Sequence, residues 1–327
     1  MTSSTDIKAP RVDDPRYNGL WRRVWSQFRK RRLAFSSLII IALIYILGIL
    51  APVIQTHDYR ETDLRNTQQG PSTEHWFGTD RAGRDLYTRV IWGIQTTVII
   101  TVTSFITGSL LLGVSIGLVA GYFRGWLDAV IMRIGEVISV FPDILLIILL
   151  AATLRPHIVE FARDVEDSYG ITGLVSSGIV DYLVIGVALL PLSWFGMMRL
   201  VRGQVLVLRE AEYVEAARAM GTSTPRILFR HILPNVVSPV IVSVSFGIGS
   251  IALSEVILSF FGLGVQPPRP SLGVMIGDVT ARGGASVSVL RDHPEQLLAP
   301  IIVVWLLIFC WNIVGDALND ILNPRSR

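Results

Sequence analysis

Six long apolar runs constrain this chain more than any other feature. They cover roughly Leu33–Ile54, Thr97–Tyr122, Ile134–Leu154, Ile179–Met198, Ile232–Gly262 and Leu297–Gly315. A helix needs about 20 apolar residues to cross the hydrocarbon of a bilayer. The runs are too long and too unalternating for barrel strands, and backbone in lipid must satisfy its own hydrogen bonds, so helices are the form left. The fourth run is the most interrupted, with Asp181 near its start and Pro191 inside it. Composition agrees, since 51% of the 327 residues are hydrophobic and only 17% are charged. The chain therefore reads as an all-α, polytopic membrane protein with six transmembrane helices. Its divisions are a tail and interfacial helix at 1–32, a first span at 33–54, a polar loop at 55–90, a core of five spans at 91–318 and a tail at 319–327.

Basic residues set the orientation. With the N-terminus inside, the inner segments hold 19 of the 29 lysines and arginines and the outer segments hold 10. Both termini then lie in the cytoplasm. The basic run Arg29–Arg32 abuts an apolar span, which makes it a topogenic anchor and lipid-headgroup contact rather than a nucleic-acid surface. Leu33–Ile54 exceeds the apolar core of a signal peptide and follows a long polar lead, so it reads as a retained span. Leu20–Arg32 mixes Trp21, Trp25 and Phe28 with basic residues. It is read either as a helix lying among the headgroups or as a plain extension of the first span.

Arg209–Asn235, REAEYVEAARAMGTSTPRILFRHILPN, is the longest charged, amphipathic stretch. Tyr213, Ala216, Ala217 and Met220 recur at i, i+3, i+4 and i+7 and form one apolar stripe. Glu215 and Arg218 form an i,i+3 opposite-charge pair beside it. Gly221 supplies a left-handed helix end, and Thr224-Pro225 reads as the cap and first residue of a second short helix. This two-helix corner, at 209–231, could lie on lipid, fold against its own bundle, or be held by another protein.

Other residues carry local signals. Gly78-Thr79-Asp80 and Gly83-Arg84-Asp85 are turn and capping groups leading into a helix. Gly113, Gly117 and Gly121 repeat a small-xxx-small spacing that lets two helices approach closely. Asp143 follows Pro142 near the middle of the third run, and a carboxyl there is expected to bond backbone groups freed by the proline, ahead of contacting a solute. The segment from Arg155 to Gly178 reads as a solvated outer loop. The fifth run contains Pro239, Gly247 and Gly249 with Ser243, Ser245 and Ser250, which suits a helix lining a water-filled path. Glu255 near its outer end reads as either a buried interhelical hydrogen bond or a pathway carboxylate. Pro267-Pro268 marks a rigid outer loop that returns partly toward the membrane.

Several chemistries are excluded. A phosphate-binding P-loop needs lysine after glycine, and the only lysines, Lys8 and Lys30, follow Ile7 and Arg29. There is no HExxH motif, and the histidines (His57, His75, His157, His231 and His293) show no ligand spacing, so no metal site is expected. The single cysteine, Cys310, cannot form a disulfide within the chain. No nucleophile pairs with a base inside a span, so no catalytic residue is assigned.

Glu215-Ala216-Ala217, then Gly221, then Leu233-Pro234 closely resembles the EAA loop of ABC-importer permeases. FGTDRAGRD at Phe77–Asp85, LSFFGLGVQPPRPSLG at Leu258–Gly273 and the closing GDALNDILNPR are similar to segments of the dipeptide, oligopeptide and nickel branch. Departures are His231, Leu272, Asn319 and Asn323, where that branch usually has Ile, Trp, Arg and Asp. Together the matches run from about residue 20 to the end. The resemblance implies a type I importer fold in the bacterial cytoplasmic membrane. Tyr213, Glu215, Ala216, Ala217, Met220, Gly221 and Arg226 would couple to ATPases through a cytoplasmic coupling helix. Asp80, Arg84 and Asp85 would face the binding-protein side, and Asp143, Ser243, Ser245, Ser250 and Glu255 are the pathway candidates. Implied partners are a second, homologous permease, two ATPase subunits that bind ATP and Mg, an extracytoplasmic binding protein, membrane lipid and a peptide substrate. The residues alone leave a secondary transporter or channel, or a non-transporting scaffold, as rivals, and nickel or another small solute as alternative cargo.

Overall fold

The computed structural model describes residues 19–170, 172–175, 177–280 and 291–322. Lys8 and Asn323, named above, and Arg11, Arg16, Arg282, Arg325 and Arg327, which are among the 29 basic residues counted for orientation, lie outside these. Among the described residues every regular element is a helix. In chain order they are α1 (Leu20–Lys30), α2 (Arg32–Ile49), α3 (Ala51–Ile54), α4 (Leu86–Phe123), α5 (Gly125–Ser139), α6 (Asp143–Tyr169), α7 (Ile179–Leu208), α8 (Glu212–Ala219), α9 (Thr224–Phe260), α10 (Leu272–Thr280) and α11 (Glu295–Leu322). Six of them, α2, α4, α6, α7, α9 and α11, are long and apolar enough to cross a membrane.

Two spans differ from the sequence reading, and proline explains the first. The run Ile134–Leu154 is not one helix. Proline lacks an N–H and disfavours helical geometry in the residue before it. Accordingly α5 stops at Ser139 and α6 restarts at Asp143, with Pro142 at its N-cap. The supposed outer loop after Arg155 then continues as helix to Tyr169, where Gly170 at φ 63° ends it. Pro191 behaves differently, since α7 passes through it unbroken. The second correction concerns the corner. Ser223, not Thr224, precedes the helix, and Thr224–Phe260 is a single 37-residue rod rather than a short helix followed by a span. A wide π turn at Ile227–Ile232 keeps it continuous through Leu233-Pro234.

The core is built where α4 lies along α7. A Cβ on Gly113 would meet Met197 Cβ at 2.7 Å, one on Gly117 the Met198 carbonyl at 2.8 Å, and one on Gly121 Val205 Cβ at 2.7 Å. The glycine spacing thus fixes the approach of two backbones. Behind it, Val184, Ile185, Met198, Val201 and Val205 of α7 are fully buried. Arg202 of α7 forks onto Asp128 of α5, Nε to Oδ1 at 2.5 Å and Nη2 to Oδ2 at 2.6 Å. α11 packs between α9 and α2. α1 breaks from α2 at Arg31 and lays Val24 and Phe28 down as buried residues, Phe28 joining Ala317 and Cys310 of α11, with Trp25 left exposed. It is a separate amphipathic helix, not an extension of the first span.

Candidate functional site

At one end of the bundle, α8 and the start of α9 form the corner. At 100° per residue, Val214 and Ala217 share a face of α8, and both are buried. Tyr213, Ala216 and Met220 turn the other way and stay exposed, with Glu215 and Arg226 beside them. The single stripe read from the sequence is therefore two faces, and Val214 is the anchor that reading missed. Arg218 sits over the Tyr122 ring at 5.7 Å rather than pairing with Glu215. Gly221, at φ 76°, closes α8 with both bonds of a Schellman turn: its N–H donates to Arg218 O at 3.0 Å, and Thr222 N–H to Ala217 O at 3.1 Å. The corner is tied to the end of α4. Arg209 donates to Tyr122 O, and Arg124 pairs with Glu210 at 2.8 Å.

Midway along the bundle lies a hydroxyl-rich cavity of about 230 Å³. Asp143, Ser193, Ser243, Ser250 and Ser254 line it. Asp143, which opens α6 directly after the N-cap Pro142, borders this space. Nearer the corner a larger cavity, about 530 Å³, takes in Gln204, Ser238 and Asn319, and Ser243 borders both. Ser245 points elsewhere; it is buried and its hydroxyl donates to Ile241 O at 3.3 Å.

At the opposite end, a cavity of about 340 Å³ is lined by Asp80, Arg81, Arg84, Arg89, Asp278 and Gln296. Asp80 accepts from Arg84 Nε at 2.7 Å and lies 3.5 Å from Arg89 Nε. Asp85 does not face this space. It is buried and caps α4, accepting from Thr88 N–H at 2.8 Å. Loop closure also stacks His57 on His75, centroids 4.6 Å apart, against the same carboxylate. Sequence separation hid that grouping.

The family model "binding-protein-dependent transport system inner membrane component" matches residues 113–327. A second model, the N-terminal transmembrane domain of oligopeptide transport permease C, matches residues 19–71. The chain belongs to this permease family. It is 36% identical to the dipeptide transport system permease of Alkalihalophilus pseudofirmus, over 94% of this chain and 90% of that protein. It is 34% identical to the oligopeptide transport system permease of Bacillus subtilis, with the same coverage. The glutathione transport system permease of Pectobacterium atrosepticum is 33% identical over 97% of this chain and 95% of its own length. The family is one of multi-pass transport subunits, not of catalysts.

Within this permease, Glu255 stands apart from the serine-lined cavity. Its carboxylate is wholly buried and accepts from Thr97 Oγ1 at 2.7 Å, Ser259 Oγ at 2.9 Å and Ser271 Oγ at 3.1 Å. It ties α4, α9 and the turn before α10 together, which is the buried interhelical bond foreseen as one of its two readings. Glu255→Ala leaves those hydroxyls without their shared acceptor and should cost about 2–4 kcal/mol. Thermal unfolding in detergent measures it, and Glu255→Gln, which keeps an amide oxygen, should lose less.

Proposed function

We propose that this permease forms half of the membrane pathway of an ATP-driven peptide importer. The exposed strip on α8, joined to α9 through the Gly221 turn, carries the reading. Tyr213, Ala216, Met220 and Gly221, with Glu215 and Arg226, form the dock for an ATPase subunit. Ala217 holds the same helix to its own bundle. ATP and Mg are bound by two such ATPases, since no phosphate loop can be written from this chain. The arginine bias puts the corner and both termini in the cytoplasm of a bacterial cell. The charged cavity around Asp80 and Arg84 then faces outward, toward a substrate-binding protein.

Closure of the ATPases displaces α8 and swings α9, and the hydroxyl-lined space bordered by Asp143, Ser243 and Ser250 changes its access between the two sides. A second, homologous permease closes the pathway opposite. Di- and oligopeptides are the proposed cargo, in keeping with the dipeptide, oligopeptide and glutathione permeases to which the chain is similar.

The test is reconstitution of the assembled transporter in vesicles with its binding protein and labelled di- and oligopeptides. Uptake should need this chain, the ATPases and ATP. Uptake persisting without the ATPases makes it a secondary transporter or channel. Uptake of nickel chelates in place of peptides overturns the substrate assignment alone.

A further inference from the structure

The loop end of the bundle gathers three metal-ligating side chains that transport does not use. His57 follows α3, His75 lies in the loop, and Asp85 opens α4. One ligand atom from each lies within 4.8 Å of the others. His75 Nδ1 is 3.0 Å from Asp85 Oδ1, and His57 Nδ1 is 3.9 Å from the same oxygen. The two rings are stacked with 30° between their planes, so both δ nitrogens reach one side of the carboxylate.

Charge separates this cluster from an ordinary helix cap. The Asp85 side chain is 1% exposed, and among the described residues its ion-pair partners are these two imidazoles. The nearby arginines face a different carboxylate, since Arg84 and Arg89 both approach Asp80. The Thr88 N–H and Thr56 hydroxyl give Asp85 dipoles but no counter-charge. An anion so deeply placed is costly without one. Two neutral imidazoles and a carboxylate suit a borderline divalent cation, whereas calcium and magnesium favour all-oxygen shells. Three protein ligands leave a fourth tetrahedral position for water. The His57 side chain, 27% exposed, gives that position access to solvent.

We propose that His57, His75 and Asp85 bind a divalent transition-metal cation of the zinc class. The ion clips the end of α3 to the start of α4 and holds the loop between them.

The assembled transporter, stripped with a chelator and held in detergent, is titrated with Co²⁺ and then with Zn²⁺. Wild type should show the visible bands of four-coordinate cobalt, saturating at one ion per copy of this chain and bleached by Zn²⁺. His57→Gln leaves the cap and the His75–Asp85 contact intact. It should lower affinity by more than about 100-fold, beyond the 10–100-fold typical of losing an outer-shell partner. His57→Cys should restore binding and add a thiolate-to-cobalt charge-transfer band, which locates the ion at position 57 by a gain of signal. No saturable binding to wild type, equal binding to His57→Gln, or a His57→Cys complex without that band overturns the proposal and leaves a hydrogen-bonded cap.

Discussion

Gly221→Val should lower ATP-driven uptake at least tenfold while the chain still inserts and assembles. Gly221 occupies φ 76°, and a Cβ there would meet nothing within 4 Å. The penalty is therefore backbone strain, not collision, at about 1–2 kcal/mol for an ordinary residue and more for a β-branched one. The cheapest relief is to rotate the turn out of the left-handed region. That breaks the Schellman bonds to Arg218 and Ala217 and re-aims α8 relative to α9. The turn is exposed and lies outside the six spans, so insertion is spared. Uptake in reconstituted vesicles should fall at least tenfold, with the amount of assembled complex unchanged. Gly221→Asn should fall much less, because asparagine tolerates the left-handed region. Undiminished uptake by the valine variant removes the corner from the mechanism.

A large loss of stability should follow Gly117→Leu. A Cβ at Gly117 would stand 2.8 Å from both the Met198 carbonyl oxygen and Val201 Cβ. The carbonyl belongs to α7 backbone and cannot turn aside as a flexible side chain could. Because Met198, Val201 and Val205 are all fully buried, separating the helices at this point opens the core along several turns. A cost of about 3 kcal/mol is expected, the upper end for overpacking. Thermal unfolding in detergent and the yield of monodisperse protein report it. Gly203→Leu, on the facing helix α7 but with open space around its Cβ, is the control and should be near neutral. Equal melting of the two variants would refute the close approach of α4 and α7.

Much of this architecture can be read from local chemistry. Hydropathy located six spans because lipid demands a minimum apolar length of each, and the spacing of Gly113, Gly117 and Gly121 announced a close helix contact without naming α7 as the partner. Gly221 was legible for the same reason, since a left-handed position favours one residue type. Hydropathy could not place the break at Pro142, because a run looks equally apolar whether or not its helix is continuous. Periodicity also could not say which face of α8 is covered. Met220 is apolar like Val214, and only the position of the neighbouring helices decides that Val214 goes in. Groupings made by loop closure were the least visible. His57, His75 and Asp85 meet because the segment between α3 and α4 folds back, and nothing in their order along the chain encodes that return.

The unbroken run from Thr224 to Phe260 has a mechanical consequence. At 1.5 Å per residue such a rod is about 55 Å long, so tipping its near end by about 5° carries the far tip sideways by about 5 Å. That tip lies against α10, whose Leu272, Val274 and Met275 are buried. A small tilt at one end of the rod therefore arrives as a displacement about one helical turn in size at the other.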